Sequence, residues 1–487
     1  MPSERRLSPL SILFAVTSAL RAFLIPLLIL LFAARSSYEL WICVAIFPAL
    51  VSSLLRYASY RYTLTGEELI IRSGILFKNE RHIPYSRIHN LAAVQTPLHR
   101  MLGVVEVRVE TGGGSEPEAC MRVLSLAARD ELRHSILDKR ATLERNEEGE
   151  PQVATPVERR SILHLPVGEL VLHGFIDNRG MLVVGAATGL MFQADFFSSD
   201  ILRGAFGFMG DLDGVVSRVL VGVGMVVGFL VVLRLFSIAW ALVTLHGFDI
   251  RSNGKELRTT YGLLTRNTST IPLHRIQLVS VSERPLQRLL KRVVVQANTA
   301  GGRPSEGQSG HHPKLAPLLH RSMLSRFIGD VQPGIDLDKV DWQPVHTSTR
   351  RRIFRRWIRS GALLTLLGVV ALGPWGALVL VPWLTLGWFN AKFQARAMQW
   401  AVLPDAILSR SGWIWRQLTL ARVAKIQSLS LDQSPFDRRW GMAKLRIDTA
   451  GGRSAGPRLH LRFLDAAVAR QLQENLGAHA AATTLRW

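Results

Sequence analysis

Cysteine is nearly missing from this chain: its 487 residues include two, Cys43 and Cys120. One lies in an apolar run and the other in a polar region, which excludes a disulfide or metal framework and fits a reducing compartment. Carboxylates are scarce as well, 37 against 59 lysines and arginines. They are scattered, so a paired acid–base site has no support. The sequence has no Gly-x-x-x-x-Gly-Lys-Ser/Thr loop and no His-Glu-x-x-His. Gly307-Gln308-Ser309-Gly310 is followed by His311 rather than glycine, so it is not a nucleophile elbow. His311-His312 stands without further ligands at metal spacing. No small-x-small site follows the first apolar run, so no cleavable signal peptide is expected. These absences predict a protein that is not an enzyme and holds no cofactor.

What is present is apolar length and positive charge. The chain is 48% hydrophobic, with net charge +22. Its mean hydropathy is +0.18 and its pI about 11.1. Nucleic acid would reward such charge through counterion release. Here the basic residues sit beside long apolar runs, where they mark the cytoplasmic side of a membrane. No nucleic-acid partner is expected.

A crossing helix needs roughly 20 mostly apolar residues. Ile12–Ala34 and Leu40–Leu55 make a first pair, and Met181–Phe197 and Val219–Leu245 a second. Gly361–Asn390 is apolar for 30 residues, interrupted by Gly373-Pro374-Trp375-Gly376. It is read as two spans, the first borrowing from Arg356–Ser360 and the second running towards Phe393. Arg5, Arg6, Arg56, Arg61, Arg159, Arg160, Lys392 and Arg396 all flank the large polar segments. So do Arg350, Arg351, Arg352, Arg355, Arg356 and Arg359, which are candidates for contact with anionic lipid. This predicts a multi-pass protein of the bacterial cytoplasmic (inner) membrane, with both termini and the polar segments inside. Arg21 and Arg234 fall within spans, where each is expected to snorkel or to pair with a neighbouring helix.

The polar segments repeat. Arg72–Gly114, Thr260–Gly302 and Arg410–Gly452 align without a gap over 43 positions. Shared by all three are Gly74/Gly262/Gly412, Ile88/Ile276/Ile426, Pro97/Pro285/Pro435, Arg100/Arg288/Arg438, Thr111/Thr299/Thr449 and the last two glycines. These look architectural, because turn and cap positions account for each residue type. Each copy reads as an antiparallel meander. In the first, strands are expected at Tyr62–Thr65, Leu69–Ser73, Ile75–Ile83 and Arg87–Val94. A short helix opened by Pro97 and a half-buried strand around Val105, Val107 and Val109 follow. Closing helices are expected at Ser125–Leu143, Leu315–Val331 and Leu464–Leu476.

The pattern Gln95-x-Pro97-Leu98-x-Arg100-x-Leu102-Gly103, then a strand and Thr-x-Gly-Gly, resembles a known family. So does Ile83-Pro84-x-x-Arg87-Ile88, echoed by Ile271-Pro272-x-x-Arg275-Ile276. The family is the bacterial membrane-flanked proteins with pleckstrin-homology-like (PH-like) domains of the second bacterial class. The resemblance implies integral-membrane α-helical hairpins alternating with α+β, mainly β, PH-like domains in a three-fold internal repeat. Hairpins are expected at 9–57, 161–246 (with an interfacial segment) and 353–396, and PH-like domains at 58–145, 247–335 and 397–480. The third copy departs from the pattern: Ala421-Arg422 replaces Ile-Pro, and Trp440 replaces leucine. In the second, Lys291 replaces glycine.

The resemblance also implies partners rather than chemistry. Members often accompany a shorter single-module relative, and some are linked to protection against membrane-active peptides. The expected function is therefore a non-enzymatic binding or scaffolding platform at the bilayer, joined to such a relative or to itself. Lipid binding and transport of a lipophilic molecule are the alternatives. Only the second copy's first hairpin loop, Arg251–Lys255, is basic, which disfavours specific inositol-phosphate binding.

Overall fold

The computed structural model describes residues 5–6, 59–65, 67–74, 78–85, 88–111, 119–132, 160–177, 184–185, 188–189, 214–299, 314–449 and 458–482. The apolar pair Ile12–Ala34 and Leu40–Leu55, the run Met181–Phe197 and Arg21 lie outside these residues, apart from a few positions in the third run. Two compact units are present, one mostly residues 1–253 and 258–270, the other mostly 271–487.

In the first unit, β1 (Arg5–Arg6), β2 (Arg61–Leu64), β3 (Glu68–Ser73) and β4 (Asn79–Pro84) form a four-stranded antiparallel sheet in that order. β5 (Ile88–Gln95), the short helix α1 (Pro97–Met101), β6 (Val104–Thr111) and β7 (Ala119–Ser125) follow. The expected alternation is plain in β6. Val105, Val107 and Val109 are buried, while Glu106 and Arg108 pair with each other at 2.8 Å. The valines pack with Leu69, Ile71, Ile83, Tyr85 and Ile88, so the two halves of the repeat enclose one core. Burying each such side chain is worth about 1.5–3 kcal/mol.

The next segment holds β8 (Arg160–His164), α2 (Val167–Ile176) and the 31-residue α3 (Val215–Leu245). β9 (Asp249–Ser252), β10 (Glu256–Tyr261) and β11 (Arg266–Pro272) come after it. α2 and α3 approach closely at Gly174, where any Cβ would collide with the Ile238 backbone. α3 is the one helix long and apolar enough to cross a membrane among the described residues.

The second unit opens with β12 (Ile276–Glu283), α4 (Pro285–Leu289), β13 (Arg292–Thr299), β14 (Lys314–His320) and α5 (Leu324–Val331). After β15 (Gln343–Pro344), the helices α6 (Thr349–Leu372) and α7 (Leu380–Ala397) fold back on each other. Trp357 and Trp383 are 4.8 Å apart, and Trp383 donates to the Trp357 carbonyl at 3.2 Å. Gly368 and Gly376 let the turn close, since a Cβ on Gly376 would overlap the Gly368 backbone. The apolar stretch Gly361–Asn390 is thus two helices with a 3-10 turn at Gly373–Val379. The third copy follows: β16 (Gln399–Val402), β17 (Ala406–Ser411), β18 (Arg416–Arg422), β19 (Ile426–Asp432), α8 (Pro435–Arg439), β20 (Met442–Thr449), β21 (Leu459–Asp465) and α9 (Ala466–Ala482).

A strand ahead of each apolar stretch pairs with the strand behind it. β1 pairs with β2, β8 with β9, and β15 with β16. Residues 161–164, expected in a hairpin, therefore belong to a sheet.

One of the closing helices needs correction, and in the other two copies a strand precedes the helix. Leu315–Val331 begins as strand β14 and only then becomes α5. The leucines of Lys-Leu-Ala-Pro-Leu-Leu-His are buried where β14 pairs with β13, and Pro317 cannot sit inside a helix without breaking it. In the third copy β21 precedes α9, which holds the expected helix from Ala466 onward. In the first, β7 precedes helical turns at 126–132.

Two glycine positions are set by backbone geometry. Gly262 has φ of 110° and Gly412 of 80°, and a Cβ would collide with the Thr265 and Trp415 carbonyl oxygens. Lys291, at the end of its short helix, sits at φ 53° where the other copies have Gly103 and Gly441 at 65° and 64°. Gly262→Ala is expected to destabilise the protein by more than about 2 kcal/mol, and Lys291→Gly to stabilise it by about 1 kcal/mol. Thermal unfolding in detergent checks the order of the three midpoints.

Candidate interfaces at the module junctions and a basic cavity

The sheets do not respect the repeats. β5 pairs antiparallel with β11 of the next copy, Gln95 opposite Arg266 and Ala93 opposite Thr268. The result is a seven-stranded sheet, β7-β6-β5-β11-β10-β9-β8. The second junction is built alike. β12 pairs with β18, Glu283 opposite Arg416 and Leu278 opposite Ala421. That sheet runs β14-β13-β12-β18-β17-β16-β15. Leu278 enters the core of the third module.

The repeated arginine crosses each junction. Arg100, on α1, donates to the Leu263 carbonyl at 3.0 Å. Arg288, on α4, donates to the Trp413 carbonyl at 2.8 Å. Both acceptors follow the repeated glycine directly. The turn at Gly262 also closes α3, because the Gly262 and Leu263 N–H groups donate to the His246 and Val243 carbonyls. Pro97 and Pro285 occupy the first helical turn, where a missing N–H costs nothing. Glu283, opposite Arg416, is buried and lies 3.2 Å from Arg321 and 3.7 Å from Arg416.

Arg275 occupies the repeated basic position of the second copy and is buried, which pushes its guanidinium pKa down to about 10. Burial, then Arg422 and Arg275, lower the pKa of Lys425 at the same position of the third. Ile88, Ile276 and Ile426 are all buried at the start of the junction strand of each copy. Thr111, Thr299 and Thr449 each end the following strand, opposite those isoleucines.

The third copy's departures make contacts of their own. Arg422, in place of proline, binds Gln332 at 2.5 Å and the Pro333 carbonyl at 2.7 Å. Arg352 binds Asp437 on α8 at 3.1 Å. Arg355 lies over Trp440, and Arg350 over Trp388. Arg359 lies over Phe436. Four of the six arginines expected at lipid thus touch protein rings or carboxylates, although all but Arg352 are exposed. Arg234 donates to the Phe175 carbonyl on α2 at 3.1 Å.

A cavity of about 260 Å³ opens in the third module between β16, β17, β18 and β21. Arg410, Arg458, His460 and Arg462 line it. Arg410 stacks on Trp342 at 4.0 Å. Burial, then Lys444 and the arginines at 462, 446 and 458, push the His460 imidazole pKa down to about 4. Such a site suits an anion. Reading the sequence missed it, because its residues come from separated strands and no local motif joins them.

Repeated half-sheets with closing helices, interleaved with apolar hairpin-length stretches, match the bacterial PH domain family over residues 12–140, 205–328 and 349–480. The chain belongs to the bacterial PH domain family. It is similar to a Bacillus subtilis (strain 168) protein named UPF0699 transmembrane protein YdbT, 24% identical over 398 residues, which is 80% of this chain and 79% of that protein. No solved structure matches.

Two outcomes follow for these PH-like modules. Arg288→Ala removes a charge-assisted bond across the second junction and should cost about 1.5–3 kcal/mol, read as a lower unfolding midpoint. His460 is held neutral in the fold but protonates near pH ~6.5 when unfolded. The folded state therefore binds fewer protons, and stability should fall as pH drops from about 6.5 towards 4. His460→Gln should flatten that part of the profile.

Proposed function

We propose that this is a multi-pass membrane protein whose three PH-like modules, joined at each junction by shared strands, act as a non-catalytic binding platform on the cytoplasmic face. The observation that carries the scaffold is the strand pairing between modules. A row of independent ligand-binding domains would not need its sheets fused. Topology is supported by the strands that flank each apolar stretch. When Arg6 pairs with Arg61, His164 with Asp249 and Pro344 with Gln399, each stretch leaves and returns to the same sheet. Such a path favours an even number of crossings for each stretch. α3 has the length for one crossing, about 46 Å of helix against a core of about 30 Å. The basic residues next to these strands favour the inside. A role in protecting the envelope, which the family resemblance suggests, would be exercised through the assembly.

A second reading has one observation in its favour. The basic cavity of the third module suits a phosphate or carboxylate, including a lipid headgroup. Phosphate should then protect the protein from acid destabilisation, because a bound anion raises the His460 pKa.

The platform reading is tested by topology and composition together. A reporter fused after Trp487 and one inserted between residues 301 and 313 should both report cytoplasm. A periplasmic signal at either would contradict it. Native mass spectrometry from lipid nanodiscs should retain protein partners or a defined oligomer; lipid alone would favour the second reading.

A further inference from the structure

The two junctions inside the chain leave one half-junction exposed at each end of the array. Among the described residues, β4 is the last strand of the first sheet, and β19 ends the three-stranded sheet β19-β20-β21. β4 corresponds to β11 and β18, which receive a strand from the module before. β19 corresponds to β5 and β12, which give one to the module after. Asn79, Glu80, Arg81 and His82 on β4 are exposed. On β19, Gln427 and Ser428 are exposed, where their counterparts Gln277 and Leu278 on β12 are buried. Arg438, the third copy of the junction arginine, is exposed and has no side-chain partner among the described residues. Its helix is already set: Ser434 and Asp437 cap each other, and Arg352 binds Asp437.

We propose that β19 and Arg438 of one chain receive β4 of a second copy, extending the platform head to tail by the rule of the internal junctions. The register is fixed in advance. Gln95 opposite Arg266 and Glu283 opposite Arg416 are equivalent pairs, although their side chains differ. The same pair between copies is Gln433 opposite Lys78. Leu431 then faces Glu80, and Leu429 faces His82. Arg438 reaches the turn at Gly74, as Arg100 and Arg288 reach the turns at Gly262 and Gly412. An unpaired strand edge is a template for another strand, and two complementary edges on one chain make the contact heterologous. A second copy supplies both halves without any new surface. The proposal rests on the platform reading, which places every module on one side of the bilayer.

The test uses the full chain in membrane vesicles, with Cys43 and Cys120 replaced by serine and Glu80→Cys and Leu431→Cys added. Copper phenanthroline oxidation should give a ladder of covalent multimers. Chains carrying one of the two cysteines each should give dimers only when co-expressed. Arg438→Ala should cut the yield about tenfold, the scale of one charge-assisted hydrogen bond. Val281→Cys with Leu418→Cys, the same register inside the chain, serves as the control for oxidation. If the control closes and the Glu80–Leu431 pair does not, the proposal fails. It also fails if Glu474→Cys on α9 cross-links to Glu80→Cys as well as Leu431→Cys does. Native mass spectrometry separates this failure from that of the platform: a monomer holding a different protein overturns self-pairing alone, and a monomer without any protein overturns both.

Discussion

The backbone ladder between consecutive repeats is the constraint on which the rest depends. A small sheet has two edges, and each edge carries unpaired N–H and C=O groups that need partners. Here β5 and β12 direct theirs to the following module. That choice converts three similar sequences into longer shared sheets and places the repeated arginine over the next module's turn. It also fixes which strands can be central. Leu278, Val279 and Val281 are buried on a strand with neighbours on both sides.

The turn at the repeated glycine links this ladder to the apolar helices. In the second copy it satisfies open carbonyls at the end of α3, and Arg100 bonds the next carbonyl along. In the third, Trp413 stacks on Phe393 of α7 at 5.1 Å while its carbonyl accepts from Arg288. A single turn therefore joins helix, module and preceding module. Its glycine is required because a Cβ would collide with the carbonyl three residues on. Exposed apolar residues gather at the same places: Met101, Leu263 and Leu264 in one unit, Leu289 and Trp415 in the other. Side chains of this kind beside helix ends suit the membrane interface.

Much of the fold was legible because its signals are local. Alternation around Val105–Val109, Pro97 at a helix start and Gly74 at a turn each have a single structural meaning. The last strand of each module was not legible as such. Lys314–His320 is a near-continuous apolar run with no alternation, which periodicity alone cannot separate from a buried helix. The strands β1, β8 and β15 were hidden for another reason: they are short and far in sequence from their partners. The junctions are likewise nonlocal. Repetition marked Arg100 and Arg288 as architectural, but nothing in one sequence says that their acceptors lie in the next copy. The basic cavity has the same difficulty, since Arg410 and His460 meet only after β17 and β21 are placed.

Hydrogen exchange of the full chain in nanodiscs, read strand by strand, tests the central claim most directly. β5 and β12 should exchange slowly on both edges, as central strands do. β19 carries the same repeat position, but its outer-edge amides should exchange faster in dilute, dispersed protein. Equal protection of all three in monomeric protein, or fast exchange in β5 and β12, would contradict the shared sheets.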